Sequence, residues 1–266
     1  MAPLRYGRIA YVNVAPVETA FDAGAVRREA DVVAGVPSRL NAALLGGELD
    51  VAAVSAAHYL AHRDVYETLG DVCIAADGPV RSVLLVSPVP PALLQGATVA
   101  VTAQSASARA LLALLLEHVH GVTPVYETVE DAAERARAGQ PSLLIGDDAL
   151  VARAEAPPAC IYDLGEAWQR WTGLPFVFAV WAVRRDVLAA RPAEVAALAA
   201  ALTQARAWGA SHRDAVIDAA VARRPFHRAL YADYFTRLTY TLDERAQQGL
   251  RRFAQLVAPE ETRVAR

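Results

Sequence analysis

The chain carries only 2 cysteines and 6 histidines in 266 residues, and its formal net charge is −3. With a sequence pI of about 6.1, it offers no global positive field to nucleic acid or anionic lipid, so neither nucleic acid nor a membrane is expected as a partner. Cys73 and Cys160 each lie in an apolar, strand-like run, which predicts buried free thiols and argues against a disulfide framework. Apolar runs such as Ala110–Leu116 fall far short of the roughly 18 residues of a membrane span. The opening MAPLRYGRIAYVNVAP lacks the continuous apolar core of a secretory leader, so a cytoplasmic protein is expected. Neither G-x-G-x-x-G nor G-x-x-x-x-G-K-[ST] occurs, which removes the usual support for nucleotide binding, and G-x-S-x-G is missing too. HYLAH sets His58 and His62 four apart, but without a third ligand or the Glu of HExxH no metal is expected. Arg223, Arg224, His227 and Arg228 form the one basic cluster, which reads as a solvated helix end.

What is present is a 55% hydrophobic chain, long enough for one large α/β domain or two lobes. Apolar runs at Arg8–Val12, Val51–Ser55, Val72–Ala75, Val83–Val86, Ala97–Thr102, Leu143–Ile145 and Phe176–Val183 alternate with helical segments, which argues for an α/β fold. One helix is predicted from Pro37 to the Gly46-Gly47 stop, and another from Thr128, with Asp131 three on, to Gly139. Each leads into a strand, so LNAALLGGELDVAAVS (40–55) and AAERARAGQPSLLIGD (132–147) echo one another, as two similar lobes would. Ligands of open α/β sheets bind beyond the carboxyl ends of the strands, where Ser55 and Asp147 would face a common cleft. From Pro192 an Ala-rich helical tail follows, expected to cover the first lobe's sheet.

LGEAWQRWTGLPFVFAVW (164–181) concentrates three tryptophans around a Thr172-Gly173-Leu174-Pro175 turn. Its aromatic rings can wall a pocket or simply fill a core. Small polar residues recur where strands end and helices begin: Asn13 after the first strand, and Ser105 and Ser107 at the start of the helix running to His118. A helix's first turn has unpaired N–H groups and partial positive charge, so a carboxylate gains hydrogen bonds there, although plain N-capping uses the same residue types. Ser82 and Thr172 adjoin the expected crossings between lobes.

Taken in order, YVNVAP (11–16), VPSRL (36–40), GELDVAAVS (47–55), GPVRSVLL (78–85), the QSAS helix start (104–107), LLIGDDAL (143–150) and DLGEAWQRWTGLPFVFAVW (163–181) resemble the chorismate dehydratase family of the futalosine route to menaquinone. More broadly the chain resembles the type 2 periplasmic-binding-protein fold. Relatives commonly read Ser-Ser-Arg-Thr-Ser at the helix start where this chain reads Gln104-Ser105-Ala106-Ser107-Ala108. The resemblance implies two lobes, 1–86 with 178–266 and 87–177, and a ligand cleft between them. It implies a hydro-lyase that takes water from chorismate to give 3-[(1-carboxyvinyl)oxy]benzoate, with a small-molecule substrate and no cofactor. Asn13, Ser82 and Asp147 are then the expected catalytic residues. Ser55, Ser105, Ser107, Gly146, Thr172 and Gly173 are expected to bind substrate. Asn13 and Ser82 would orient the leaving hydroxyl or the enolpyruvyl carboxylate, which itself can take the ring proton, while Asp147 is the best protein acid or base. A binding protein for a small carboxylate and a later enzyme of the same pathway stay open as alternatives.

Overall fold

The computed structural model describes residues 2–104, 106–155 and 160–257. The chain divides into one unit of residues 1–75 and 178–243 and a second of 76–177 and 244–266.

The first unit begins β1 (Leu4–Ile9), a 3-10 turn at Val12–Val14, α1 (Ala15–Asp22), β2 (Ala30–Gly35), α2 (Pro37–Leu45), β3 (Val51–Ser55), α3 (Ala56–Ala61) and β4 (Tyr66–Ala76). The second follows as β5 (Val83–Ser87), β6 (Thr98–Thr102), α4 (Ala106–His120), β7 (Val125–Val129), α5 (Ala132–Arg137), β8 (Ser142–Ile145), α6 (Gly146–Glu155), β9 (Cys160–Asp163) and α7 (Leu164–Thr172). β10 (Phe176–Arg184) returns the chain to the first unit, which adds α8 (Arg185–Ala190), α9 (Pro192–Ser211), α10 (Arg213–Arg223), α11 (Arg228–Arg237) and β11 (Thr239–Thr241). The final helix, α12 (Glu244–Val257), belongs to the second unit.

The first unit's sheet has the order β11-β4-β10-β3-β1-β2 and the second's β7-β6-β8-β5-β9. β3 lies parallel to β1, and β8 parallel to β6, so the two echoing segments occupy matching places. Gly7 leaves room on the first sheet for its neighbours: a Cβ there would stand 2.7 Å from Leu49 Cδ1, 2.8 Å from the Ala52 methyl on β3 and 3.2 Å from Leu40 Cδ2 on α2.

Several expectations shift in register. The first strand covers Leu4–Ile9, and Val12 belongs to the 3-10 turn that follows. Thr128 lies in β7, and the helix starts only at Ala132, after an Asp131 whose side chain makes no cap bond. Residues 76–86, expected with the first lobe, group with the second unit because β5 pairs with β8 and β9. The closing helix does so too, since Phe253 packs against Trp168 and Phe176 at ring-centroid distances of 6.2 and 4.9 Å. The aromatic stretch is therefore core: Trp168 is fully buried and donates its indole N–H to the Pro175 carbonyl at 3.2 Å. Cys73 and Cys160 are both free, and burial pushes the Cys73 thiol up.

Candidate active site

In the first unit the adjacent parallel strands β1 and β3 end at one sheet edge, and they deliver Asn13 and Ser55 there. Asn13 sits in the 3-10 turn before α1. That helix is anchored by a buried network: Glu18 accepts from Tyr6 Oη and from Arg28 Nη1, both at 2.6 Å, and Tyr6 Oη accepts from Trp181 Nε1 at 2.6 Å. Burial first, and then the Glu18 charge, push the Tyr6 phenol well above its ordinary value, so it stays a neutral donor. Behind the turn, Tyr240 Oη donates to the Asn13 carbonyl at 2.7 Å. The Asn13 side-chain oxygen is buried and accepts no hydrogen bond among the described residues. Ser55 caps α3, accepting from His58 N at 3.4 Å, and Asn41 Nδ2 donates to its hydroxyl at 3.3 Å.

In the second unit one sheet edge collects the carboxyl ends of β6, β8 and β9 and the start of β5. Ser82, just before β5, is buried, and its carbonyl accepts from Gly146 N at 2.7 Å. Gly146 takes a left-handed φ of +57° where β8 turns into α6, and Asp147 follows in that helix's first turn. Ser107 lies buried in the first turn of α4. Ser105 lies outside the described residues. Ser82, Gly146, Asp147 and Ser107 thus share one edge, with the N-termini of α4 and α6 beside them.

Two groups that the sequence reading did not single out organise this edge. Asp163, at the end of β9 and 6% exposed, accepts four backbone N–H bonds: Val80 (3.0 Å), Arg81 (2.7 Å), Gly165 (3.0 Å) and Glu166 (3.1 Å). Burial pushes its carboxyl up, and the four N–H groups pull it back. The bond to Arg81 holds that residue at φ +65°, the only positive φ of a non-glycine residue among those described. A capping signal was available in Asp163-Leu164-Gly165-Glu166, an Asp with Glu three on. Its grip on residues 80 and 81, more than 80 positions away, was not.

Thr172 and Gly173 serve the end of α7: Thr172 Oγ1 donates to the Trp168 carbonyl at 2.8 Å and accepts from Leu174 N at 3.2 Å, while Gly173 is the left-handed cap at φ +72°. The chain holds no lysine, so every cation other than a histidine or the terminus is an arginine and a Schiff base has no side chain to form on.

The sequence model of a family described as menaquinone biosynthesis matches residues 4–259. A chorismate dehydratase of Thermus thermophilus is 37% identical over 270 residues, covering 96% of this chain and 95% of that protein. The chain belongs to the menaquinone biosynthesis family. Among solved structures, a protein of Archaeoglobus fulgidus superposes with a TM-score of 0.78 at 20% identity, covering 98% of each chain. The alkanesulfonate-binding protein of Xanthomonas axonopodis pv. citri, bound to MOPS, gives 0.69 at 20% identity, with 97% of this chain and 95% of that one covered. The periplasmic aliphatic sulphonate binding protein of Escherichia coli gives 0.65 at 16% identity, with 99% and 88% covered. At these identities they show the fold, so this menaquinone family member has the periplasmic-binding-protein-like fold expected from its sequence. No helix among the described residues is long and apolar enough to cross a membrane.

Proposed function

We propose that this chain is a chorismate dehydratase, a hydro-lyase that removes water from chorismate to give 3-[(1-carboxyvinyl)oxy]benzoate. The family membership and the likeness to the Thermus enzyme along nearly the whole length support the reaction. The observation that carries the residue assignment is the Asn13 amide oxygen, buried with no donor among the described residues. An acceptor of this kind is matched by a hydroxyl and not by a carboxylate, which has no proton to give. Asn13 therefore holds the departing ring hydroxyl of the substrate.

The substrate loses the ring proton beside its ether and the neighbouring hydroxyl; the C–H electrons become ring π electrons as the C–O bond breaks, and proton and hydroxide leave as water. Aromatisation makes the step downhill, so the protein's contribution is chiefly position. The enolpyruvyl carboxylate of the substrate takes the ring proton, with Ser82 orienting that carboxylate, and Asp147 is the side chain that passes the proton on to the leaving hydroxyl. Ser55, Ser105 and Ser107 bind the carboxylates, with helix N-termini supplying partial positive charge, and Gly146, whose own N–H is held by the Ser82 carbonyl, shapes the turn beside them. Thr172 and Gly173 contribute by shaping the turn before β10. The protein acts in the cytoplasm, where it meets its small-molecule substrate.

Incubation with chorismate, followed by chromatography with mass detection, tests the reaction. A product lighter by one water, formed only with enzyme, is expected; tight binding without turnover would instead make this a receptor. Asn13→Ala is expected to lower kcat by about 100-fold or more with a smaller change in KM. Wild-type turnover by that variant would remove the role.

A further inference from the structure

The first unit contains a cavity of about 360 Å³ formed by α9, α10, α11, β11 and Pro16, within the roughly 300–1,000 Å³ range of small-molecule sites. Besides Arg206, the residues that α9 turns toward it are small, Ala207, Gly209 and Ala210, which leaves room for it, while Ile217, Phe235 and Leu238 close it with apolar surface. Among the described residues no carboxylate lines it.

Its two cations differ. Arg206 is already neutralised, with Nη2 on the Asp71 carboxylate at 2.9 Å and Nη1 on the Asp71 carbonyl at 2.9 Å. Arg213 stands exposed among the cavity residues, and its side chain makes no ion pair or hydrogen bond among the described residues. The two acids nearest it on α10, Asp214 and Asp218, are both held by Arg228. Charge and lining together favour an anion with a hydrophobic body.

We infer that this cavity is a second ligand site, taking a small hydrophobic monocarboxylate whose carboxylate pairs with Arg213 and whose apolar body lies against Phe235 and Ile217. The site is separate from the groups assigned to dehydration, yet it adjoins them: its occupant touches Pro16 and Tyr240, and Tyr240 holds the Asn13 carbonyl. Occupancy therefore bears on the segment that carries Asn13.

Isothermal titration calorimetry with 4-tert-butylbenzoate tests this, with 4-tert-butylbenzamide as its uncharged isostere. Wild-type protein is expected to bind one equivalent of the carboxylate, and the amide at least tenfold more weakly. Arg213→Ala should weaken the carboxylate at least tenfold, and Ala210→Trp should abolish binding by filling the cavity. Both positions are exposed, so folding is not at risk. Asn13→Ala should bind as wild type does. Absence of saturable binding to wild-type protein overturns the inference, as does equal affinity for acid and amide. So does binding that survives Arg213→Ala and Ala210→Trp but is lost in Asn13→Ala, which places the probe among the dehydration residues. Chorismate turnover by the same preparations reads the dehydratase assignment separately.

Discussion

In the first unit side chains hold the Asn13 segment; in the second, backbone groups hold the Ser82 segment. Glu18, Tyr6, Trp181 and Arg28 are a chain of partners drawn from α1, two strands and a loop, and they fix α1 from below. Ser82 instead follows Arg81, whose N–H joins three others on one carboxylate, and its own carbonyl is met by Gly146 N. Both arrangements leave a polar residue at the carboxyl end of a sheet. Each anchor centres on one carboxylate, but Glu18 meets side chains of which two are themselves charged, whereas Asp163 meets four neutral backbone N–H groups that each still need an acceptor.

Removing each anchor tests that contrast. Glu18→Ala leaves Arg28 and Arg8, with side chains only 9% and 13% exposed, without their buried carboxylate. A loss of about 3–5 kcal/mol is expected in denaturant unfolding, and a loss below about 1 kcal/mol would mean the network is solvated. Next, α9 and α12 each meet a prolyl carbonyl at a glycine, Gly209 against Pro16 and Gly249 against Pro175, where a Cβ would overlap the oxygen. Gly209→Ala and Gly249→Ala should each cost about 3 kcal/mol, and the first should lower kcat more, because Pro16 adjoins the Asn13 turn whereas Pro175 only closes the turn that Thr172 and Gly173 shape. Equal kinetic effects would show that the two units do not position their residues independently.

Asp163→Asn keeps an acceptor oxygen for some of the four N–H groups, so about 1–2 kcal/mol should be lost, with a fall in kcat as the Ser82 loop loosens. Unchanged kinetics would make Asp163 a helix cap and nothing more. The smallest effect concerns pH. Burial first, and then neighbouring His62, hold the His58 imidazole down at about 4 against an ordinary 6.5. As the pH falls through 6.5 the unfolded chain binds a proton that folded His58 refuses until about 4, so acidification across that window favours unfolding. His58 is only half-buried, so the slope should stay well under one proton, and His58→Gln should flatten it in urea titrations between pH 6.5 and 4.

The strands legible in the sequence are mostly those in the middle of a sheet. β3 and β5 are buried on both faces and read as unbroken apolar runs. β2 and β7 lie at sheet edges with largely exposed side chains: β7 reads as polar VYETV, and β2 went unread although Val32 and Val33, 42% and 41% exposed, give it a short apolar run. The polar residues at strand ends were readable for the same reason as the inner strands. Asp163 and Arg81 were not, because their roles arise from a β5–β9 pairing that joins residues more than 80 apart. Trp168 could be read as pocket or core, and its complete burial, helped by Phe253 85 positions on, decides for core.

The division of the chain also bears on its synthesis. The first unit needs β10 and β11, and the second needs α12, before either is complete. Residues 76–177 leave the ribosome long before the helix that covers Trp168 and Phe176. A nascent chain therefore carries two unfinished apolar cores at once, a state prone to aggregation, and slowing translation should not rescue yield as it does for proteins whose domains emerge one after another.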